Sequence, residues 1–245
     1  MKILEQIITD LPDYPLADIR LGKHWTAVVA QVNGSQTCGL ASNPYKTPLL
    51  TDEELATMKA GGSVRDLCQL AQQPDKKLAS IGIAAVNALL HRQPDRWVSG
   101  NAGQIIAERG RGKHVALVGH FPFVNELRQH VGRLDVLELN PGPGDRHARE
   151  AADIIPQADV VALTSMTLVN GTLPGLLDLC QPQAYVILLG PSTPLTPVFF
   201  EHGVNQLCGS IVNEIAPVLA GIAAGQSFRQ IKQQEQVQLV SICCN

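Results

Sequence analysis

The sequence predicts an α/β protein in which a smaller α+β domain precedes a domain built on a parallel sheet. The first observation is the stretch 113–140, where the apolar runs Val115–Val118 and Leu134–Leu139 flank a helical pattern. A strand–helix–strand crossover of this kind makes a parallel sheet. The second is that strand and helix patterns keep alternating beyond this stretch, whereas the earlier chain shows a hairpin followed by helices. This change of pattern divides the chain into residues 1–105 and 106–245.

The N-terminal domain is predicted to combine a hairpin with helices. Residues 1–20 have the pattern of an amphipathic helix followed by a loop. A strand at residues 24–32 reaches Asn33-Gly34, the two-residue signal of a type I′ turn, and Ser35–Ala41 is the return strand. Apolar positions at helical spacing then predict three helices, at Asp52–Lys59, Val64–Ala71 and Lys77–Leu90.

The C-terminal domain is predicted to continue the alternation of strands and helices. Its further strands are Asp159–Leu163, Ala184–Leu189 and Val204–Cys208. Its helices are His147–Ile155, Leu173–Leu179, Pro197–His202 and Val212–Ala224. The predicted N-caps of the first three helices are, in the same order, Asp145, Thr172 and Thr196. The tail, 226–245, either adds a strand or covers the sheet edge.

The composition argues against several classes of function. The chain has 245 residues and a net charge of −3, so it lacks the basic surface that nucleic acid or an anionic membrane attracts. No apolar stretch approaches the roughly 20 residues of a membrane helix, and the N-terminal residues lack the apolar core of a signal peptide. We therefore expect a cytoplasmic protein that binds neither nucleic acid nor membrane.

Six cysteines are scattered through the chain without a C-x-x-C motif or a histidine at zinc-finger spacing. Because no export signal is visible, we expect reduced thiols. Cys180 and Cys208 lie in apolar segments that are typical of buried structural cysteine. The adjacent Cys243 and Cys244 are an alternative soft-metal site, although two thiols fall short of the four ligands that zinc takes. We assign no residue as a metal ligand.

Two strand ends carry the main functional signals, because ligands of open parallel sheets bind beyond the carboxyl ends of the strands. Gly119 ends the first strand and lets a ligand approach the backbone. Glu138 ends the second strand at about the spacing where an acid binds ribose hydroxyls. The G-x-G-x-x-G fingerprint is missing and bulky Phe121 follows Gly119, which argues against NAD. His120 is a candidate general base; a plain turn, a solvated acid and a surface histidine are the alternatives.

Polar residues also follow other strand ends. Thr164, Thr167 and Asn170 offer hydroxyl and amide donors, and Ser192 belongs to a second donor-bearing loop that faces the same edge of the sheet. Asn140 begins a rigid loop with two prolines and two glycines, which suits wrapping around an adenine-like ring or a second substrate. An ordinary turn or helix cap is the alternative interpretation of each of these loops.

Six segments spread over nearly the whole chain carry a resemblance to a known family. They are GLAS at 39–42, SIGIAAVNA at 80–88, VALVGHFP at 115–122, LELNPGPGD at 137–145, TLVNGTL at 167–173 and GPSTPL at 190–195. Together they resemble the putative heavy-metal chelation family. The resemblance implies an enolase N-terminal-like α+β unit joined to a Rossmann-like unit, with the site between them.

The resemblance also implies which residues form the site. On the Rossmann-like side they are Gly119, Glu138, Asn140, Thr164, Thr167, Asn170 and Ser192. On the other side, residues near Gly39, Ser80 and Asn87 close the site. The family's proposed chemistry is condensation or hydrolysis of flavin-, pterin- or siderophore-like molecules.

Our first functional hypothesis is therefore a small-molecule-binding protein, an enzyme by preference. It acts on a pterin-, flavin- or siderophore-like compound in a cleft between the domains and is linked to heavy-metal chelation. S-adenosylmethionine or another nucleoside-like molecule is the candidate cofactor. The alternatives are a non-catalytic protein that binds a metal or metal chelate, and a scaffold with a vestigial pocket. The predicted partners are a small-molecule ligand and a second copy of the chain in a homodimer.

Overall fold

Two β-sheets organise the part of the chain that the structure describes. The computed structural model describes residues 1–45, 50–60, 62–90, 93–232 and 235–244. Within these residues, a three-stranded antiparallel sheet lies in the N-terminal half and an eight-stranded, mostly parallel sheet in the remainder. The predicted fold class, an α/β protein with a smaller α+β unit ahead of a Rossmann-like sheet, is confirmed.

The small sheet contains the predicted hairpin and one strand that we did not predict. In spatial order it consists of β1 (Leu16–Leu21), β2 (Trp25–Val32) and β3 (Ser35–Ser42). Asn33 and Gly34 have φ values of 46° and 85°, as a type I′ turn requires. The predicted loop before residue 20 is wrong where β1 forms. Pairing with β2 imposes an extended backbone there, although Asp18 is a residue type disfavoured in strands.

Helix α4 lies directly on the small sheet. The helices of this half are α1 (Lys2–Thr9), α2 (Asp52–Ala60), α3 (Val64–Cys68) and α4 (Lys76–Leu89). A Cβ added to Gly39 of β3 would lie 2.1 Å from the carbonyl oxygen of Ala84 in α4. On another side of α4, a Cβ at Gly82 would lie 1.9 Å from the backbone nitrogen of Ala71. The predicted helix Val64–Ala71 changes to a 3-10 helix after Cys68.

The large sheet has β5 at the centre of its parallel part. Its strands are β4 (Val98–Ser99), β5 (His114–Val118), β6 (Arg133–Glu138), β7 (Arg146–His147), β8 (Val160–Thr164), β9 (Tyr185–Leu189), β10 (Gln206–Val212) and β11 (Val237–Cys243). Their spatial order is β4-β11-β10-β9-β8-β5-β6-β7. All neighbours from β10 to β7 are parallel, and β11 runs antiparallel to both β10 and β4. The chain moves outward in opposite directions from β5 and β8, and such a switch point is where ligands bind.

Most helices of the second half are shorter than predicted. The α-helices are α5 (Ala102–Arg109), α6 (Val124–Leu127), α7 (Ala151–Ile154), α8 (Met166–Val169), α9 (Leu173–Leu177), α10 (Ile215–Ala223) and α11 (Phe228–Lys232). The 3-10 helices are Pro94–Arg96, Ala148–Glu150, Ile155–Gln157 and Pro197–His202. Strand β10 continues through Gly209, where we predicted its end, because β11 pairs with it along its whole length. Helix α10 consequently begins only at Ile215.

One of the three predicted N-caps is wrong. Asp145 does not cap the helix after it, because His147 takes that role with its ring nitrogen. Thr172 is the N-cap residue of α9, as predicted, although its side chain makes no capping hydrogen bond. Thr196 accepts a hydrogen bond from the backbone nitrogen of Val198, as predicted. Both correctly predicted helices have a proline among their first two helical residues, which helps to fix where the helix begins.

The two units share one apolar core. Buried side chains of α1, α4 and the small sheet form a single cluster with residues from one face of the large sheet, such as Val161 and Leu188. The other face of the large sheet packs against α5 and α6 around Ile106. The outer face of the small sheet packs against α10 and α11. None of the helices in the described residues is long and apolar enough to span a membrane.

Candidate functional site

A cleft opens at the carboxyl ends of β5, β6 and β8. Its volume is about 640 Å³. The lining residues are Val118, Gly119, His120, Phe121, Leu137, Glu138, Leu139, His147, Ala148, Arg149, Ala151, Thr164, Met166, Thr167, Asn170, Thr172 and Leu176. All of them belong to the large-sheet unit. The prediction of a cleft between the two units therefore needs correction, since the N-terminal unit does not line this one.

Gly119 shapes the turn after β5. Its φ is +102°, which other residues rarely adopt, and its backbone nitrogen donates a hydrogen bond to the carbonyl oxygen of Leu137. A Cβ at this position would lie 3.1 Å from the Cβ of Thr164. Glycine therefore lets the β5 turn approach the end of β8, and this approach closes one side of the cleft.

Glu138 holds the same turn from the end of β6. Its Oε1 accepts a hydrogen bond from the backbone nitrogen of His120 at 2.9 Å, and its Oε2 accepts one from the backbone nitrogen of Leu139 at 2.8 Å. Both carboxylate oxygens are thus engaged by the backbone, although each retains a further lone pair. The carboxylate fixes the position of His120 relative to β6.

His120 forms a dyad with Asp145. The Nδ1 atom of His120 lies 2.8 Å from Oδ2 of Asp145, which also accepts a hydrogen bond from the backbone nitrogen of Gly142 at 3.1 Å. The histidine side chain is 49% exposed, whereas that of the aspartate is only 2% exposed. The Oδ1 atom of Asp145 is buried without a hydrogen-bond partner among the described residues, and Arg128 approaches it no closer than 3.9 Å. Asp145 therefore orients the ring of His120 from a buried position.

His147 and Arg149 occupy the far side of Glu138. His147 is the register partner of Glu138 across the β6–β7 pair. Its Nδ1 accepts a hydrogen bond from the backbone nitrogen of Arg149 at 3.2 Å, and Glu150 completes the capping box by accepting from the backbone nitrogen of His147. The guanidinium of Arg149 is exposed at the cleft. This side of the cleft therefore combines an imidazole with a cation.

The residues after β8 have different roles. Thr167 is buried and donates its hydroxyl to the carbonyl oxygen of Thr164 at 2.7 Å, so it stabilises the turn. The Oδ1 atom of Asn170 accepts from the backbone nitrogen and the hydroxyl of Thr172, at 3.1 and 2.6 Å. These contacts orient the Asn170 amide so that its Nδ2 remains available as a donor at the cleft.

Ser192 and Asn87 lie away from this cleft. The Ser192 hydroxyl accepts a hydrogen bond from the backbone nitrogen of Ser42 at 2.8 Å, and the Asn87 amide donates to the carbonyl oxygens of Leu40 and Ser192. Both residues therefore connect the small sheet, α4 and the loop after β9. Asn140 is exposed and is likewise outside the lining residues of the cleft.

The junction between the units contains a much smaller cavity. Gly39 and Asn87 line it together with Thr193, and its volume is about 30 Å³, enough for a single water molecule. The hydroxyl of Thr193 is buried there without a partner among the described residues. Ser80, which was predicted to close the site, is buried and donates to the carbonyl oxygen of Ser42. This part of the interface is packed and cannot admit a pterin-sized ligand.

Three of the six cysteines are thiols whose burial suppresses ionisation. Burial raises the pKa of Cys68 and of Cys208 to about 12 and that of Cys180 to about 11, so these thiols stay protonated at neutral pH. Cys243 is half-buried and Cys244 is exposed. Within the described ranges, no group of three or more His, Cys, Asp or Glu residues could hold a metal ion.

The structure brings together Gly119, His120, Glu138, Thr164, Thr167 and Asn170, all of which we named from the sequence. Sequence reasoning missed Asp145, which we interpreted as a helix cap, and His147, which we placed inside a helix. The turn-forming residues around Asp145 were a signal that the chain folds back there. Their spacing could not show that the carboxylate returns to His120.

Comparisons with known proteins identify relatives of the whole chain. A solved structure of a protein of unknown function from Desulfitobacterium hafniense is 26% identical, with a TM-score of 0.83, and the match covers 99% of this chain and 97% of that one. One from Pyrococcus horikoshii is 19% identical, with a TM-score of 0.82, and the match covers 99% and 98%. An uncharacterized protein of Methanocaldococcus jannaschii is 22% identical over 220 residues, which are 84% of this chain and 82% of that protein.

Family models agree with these relatives. One model, described as putative heavy-metal chelation, matches residues 101–241, and a second with the same description matches residues 4–90. The two solved relatives are members of the family of the first model. The first match alone covers more than half of the chain, and the chain therefore belongs to the putative heavy-metal chelation family.

Proposed function

We propose that the protein binds a flat, conjugated molecule of the pterin or flavin type in the cleft at the ends of β5, β6 and β8. In this proposal, the bound molecule is part of a compound that chelates heavy metals, and the protein acts on that molecule. The observation that carries the proposal is the cleft itself. Its volume of about 640 Å³ lies within the range of small-molecule sites, which are mostly apolar with a few placed polar groups.

The lining residues match the two kinds of surface of such a ligand. Val118, Leu139 and Met166 offer apolar surface for the faces of a ring system. Arg149 and the Nδ2 of Asn170 are donors for the carbonyl oxygens and ring nitrogens at its edge. A ligand with flat apolar faces and acceptors along its edge therefore satisfies both sets of residues.

The same cleft is less suited to a dinucleotide. Phe121 lines it next to Gly119, where a pyrophosphate would need small residues. Glu138 already accepts two backbone hydrogen bonds, so it would have to share its oxygens to hold a ribose diol. These features support a compact heterocycle over NAD.

Titration calorimetry of the purified protein with a reduced pterin, riboflavin, FMN and S-adenosylmethionine tests the proposal. We expect saturable one-site binding of at least one pterin or flavin. Ala148→Trp, which places an indole in the cleft, should weaken that binding at least about tenfold, equivalent to about 1.4 kcal/mol. The matched control is Ala223→Trp on the exposed end of α10, outside the cleft, which should bind like the wild type.

Two results would contradict the proposal. One is equal binding by Ala148→Trp and the wild type, because the ligand would then sit elsewhere. The other is stoichiometric metal uptake by the protein alone, measured by elemental analysis after adding zinc or nickel, with no binding of any pterin or flavin. That second result would favour direct metal binding.

A further inference from the structure

Two histidines flank Glu138 at the cleft, and they differ in which ring nitrogen carries hydrogen. The backbone nitrogen of His120 is bonded to the Glu138 carboxylate, and His147 is the neighbour of Glu138 across the β6–β7 pair. Both imidazoles line the cleft. In each ring the Nδ1 atom is engaged by the protein, which leaves the Nε2 atom for a ligand.

The contact with Asp145 sets the tautomer of His120. An ionised carboxylate only accepts hydrogen bonds, so Nδ1 of His120 carries the hydrogen in the 2.8 Å contact with Oδ2. In the neutral ring, Nε2 is then a free base. The Asp145 carboxyl is held in turn by the backbone nitrogen of Gly142, so it fixes the orientation of the ring in which Nε2 is free.

His147 has the opposite tautomer. Its Nδ1 accepts a hydrogen bond from the backbone nitrogen of Arg149, so this atom carries no hydrogen and Nε2 carries it instead. Protonation of Nδ1 would break the helix cap. In the neutral ring, His147 therefore offers an N–H donor at Nε2, and Arg149 lines the cleft beside it.

We propose that the cleft catalyses a proton-transfer isomerisation of its ligand, with His120 as the general base and Asp145 as its positioning residue. This inference rests on the proposed function. The Nε2 of His120 takes a proton from a carbon or nitrogen next to a carbonyl or imine of the ligand. The electron pair of the broken bond stays on the ligand and moves to the carbonyl or imine heteroatom, which accepts a hydrogen bond from Nε2 of His147. The imidazolium of His120 then returns the proton to a second atom of the same conjugated system.

The first test needs no ligand. Long-range proton–nitrogen NMR correlations report which nitrogen of each ring carries hydrogen at a pH where both rings are neutral. We expect hydrogen on Nδ1 of His120 and on Nε2 of His147. We expect Asp145→Asn to move hydrogen from Nδ1 to Nε2 in His120, since the amide can donate to Nδ1. Hydrogen on Nε2 of His120 in the wild type would overturn the proposal.

The second test uses 5-nitrobenzisoxazole, a flat heterocycle that reports on a base in an apolar site. The base removes the proton on C3, the electron pair forms a nitrile, and the N–O bond breaks to release a coloured phenolate. We expect His120→Ala to lower kcat roughly 100-fold, as removal of a general base does. Asp145→Asn should lower kcat and leave KM unchanged. His147→Asn retains a capping oxygen, and it should lower kcat because the shorter side chain no longer places an N–H donor where Nε2 of the imidazole lies.

His130→Ala is the matched control, because His130 is exposed, bonds to the carbonyl oxygen of Glu126 and lies outside the cleft. It should react like the wild type. Equal rates for the wild type and His120→Ala would overturn the inference, even if pterin or flavin binding establishes the proposed function. A rate that depends on His120 with no binding of any pterin or flavin would uphold the base and reject the proposed ligand class.

Discussion

Single residues decide whether a polar side chain serves a ligand or the fold. Ser192 and Asn170 both follow strand ends and both carry donors in the sequence. Ser192 is fully buried and receives the backbone nitrogen of Ser42, whereas Asn170 keeps its Nδ2 at the cleft. Local sequence cannot separate these cases, because the difference depends on which distant segment packs over each loop.

Replacing Ser192 should therefore affect stability and leave the cleft unchanged. In Ser192→Ala the backbone nitrogen of Ser42 loses its acceptor in a packed interface, so the free energy of unfolding should fall by about 1–3 kcal/mol. Urea unfolding followed by circular dichroism measures this change. Ser35→Ala, which removes an exposed hydroxyl contact to Val32, is the control and should change little. A Ser192→Ala protein as stable as the wild type would show that the bridge contributes nothing.

Some residues of the site could be predicted from the sequence and others could not, again because their roles depend on distant segments to different degrees. Gly119 and Glu138 stand directly at the ends of apolar runs, so a pattern of strands is enough to bring them together. Asp145 is separated from His120 by a whole strand and a loop of prolines and glycines. Its role depends on how that loop folds back, and no periodic pattern in the sequence encodes that path.

At the level of elements, helix α4 makes the closest packing. Gly82 of α4 lets the backbone of segment 69–72 contact the helix on one side. Gly39 of β3 lets that strand contact the helix backbone on the other side. The helical pattern at 77–90 was predictable from its apolar spacing. The shortness of α6, α7 and α9 was not, because their ends are set by turns and by neighbouring strands.

Gly82→Ala tests the packing of α4. The added methyl would lie 1.9 Å from the backbone nitrogen of Ala71, which cannot rotate away as a side chain could. We expect a loss of about 3 kcal/mol or more in the free energy of unfolding, measured in urea. Gly175→Ala is a matched control within α9, where a Cβ meets nothing within 4 Å. That variant should gain up to about 1 kcal/mol, since alanine favours the helix. Similar effects of both variants would contradict the packing argument.

At the scale of the whole molecule, the main feature is that the two units share one apolar core. The sequence indicated two domains from the change in element pattern, and that pattern is present as two sheets. It could not indicate that α4 would also contact α8 in the second half of the chain. The apolar positions of α4 predict burial, but they do not identify the partner.

A single cooperative unfolding transition should follow from this shared core. Trp25 reports on the outer face of the small sheet, and Trp97 packs against the shared core. In Trp25→Phe and Trp97→Phe variants, the remaining tryptophan's fluorescence and the far-ultraviolet circular dichroism should have the same urea midpoint. A fluorescence transition that precedes the loss of circular dichroism in either variant would show that one unit unfolds separately.

The pairing of β4 with β11 has a consequence for synthesis of the chain. The hydroxyl of Ser241 reaches the carbonyl oxygen of Val98 across 143 residues of sequence. A ribosome must therefore add well over half of the polypeptide after residue 98 before this edge of the sheet can close. Until then, the short strand at Val98 and Ser99 has no partner strand on the nascent chain, and its unpaired backbone groups are open to pairing with other chains.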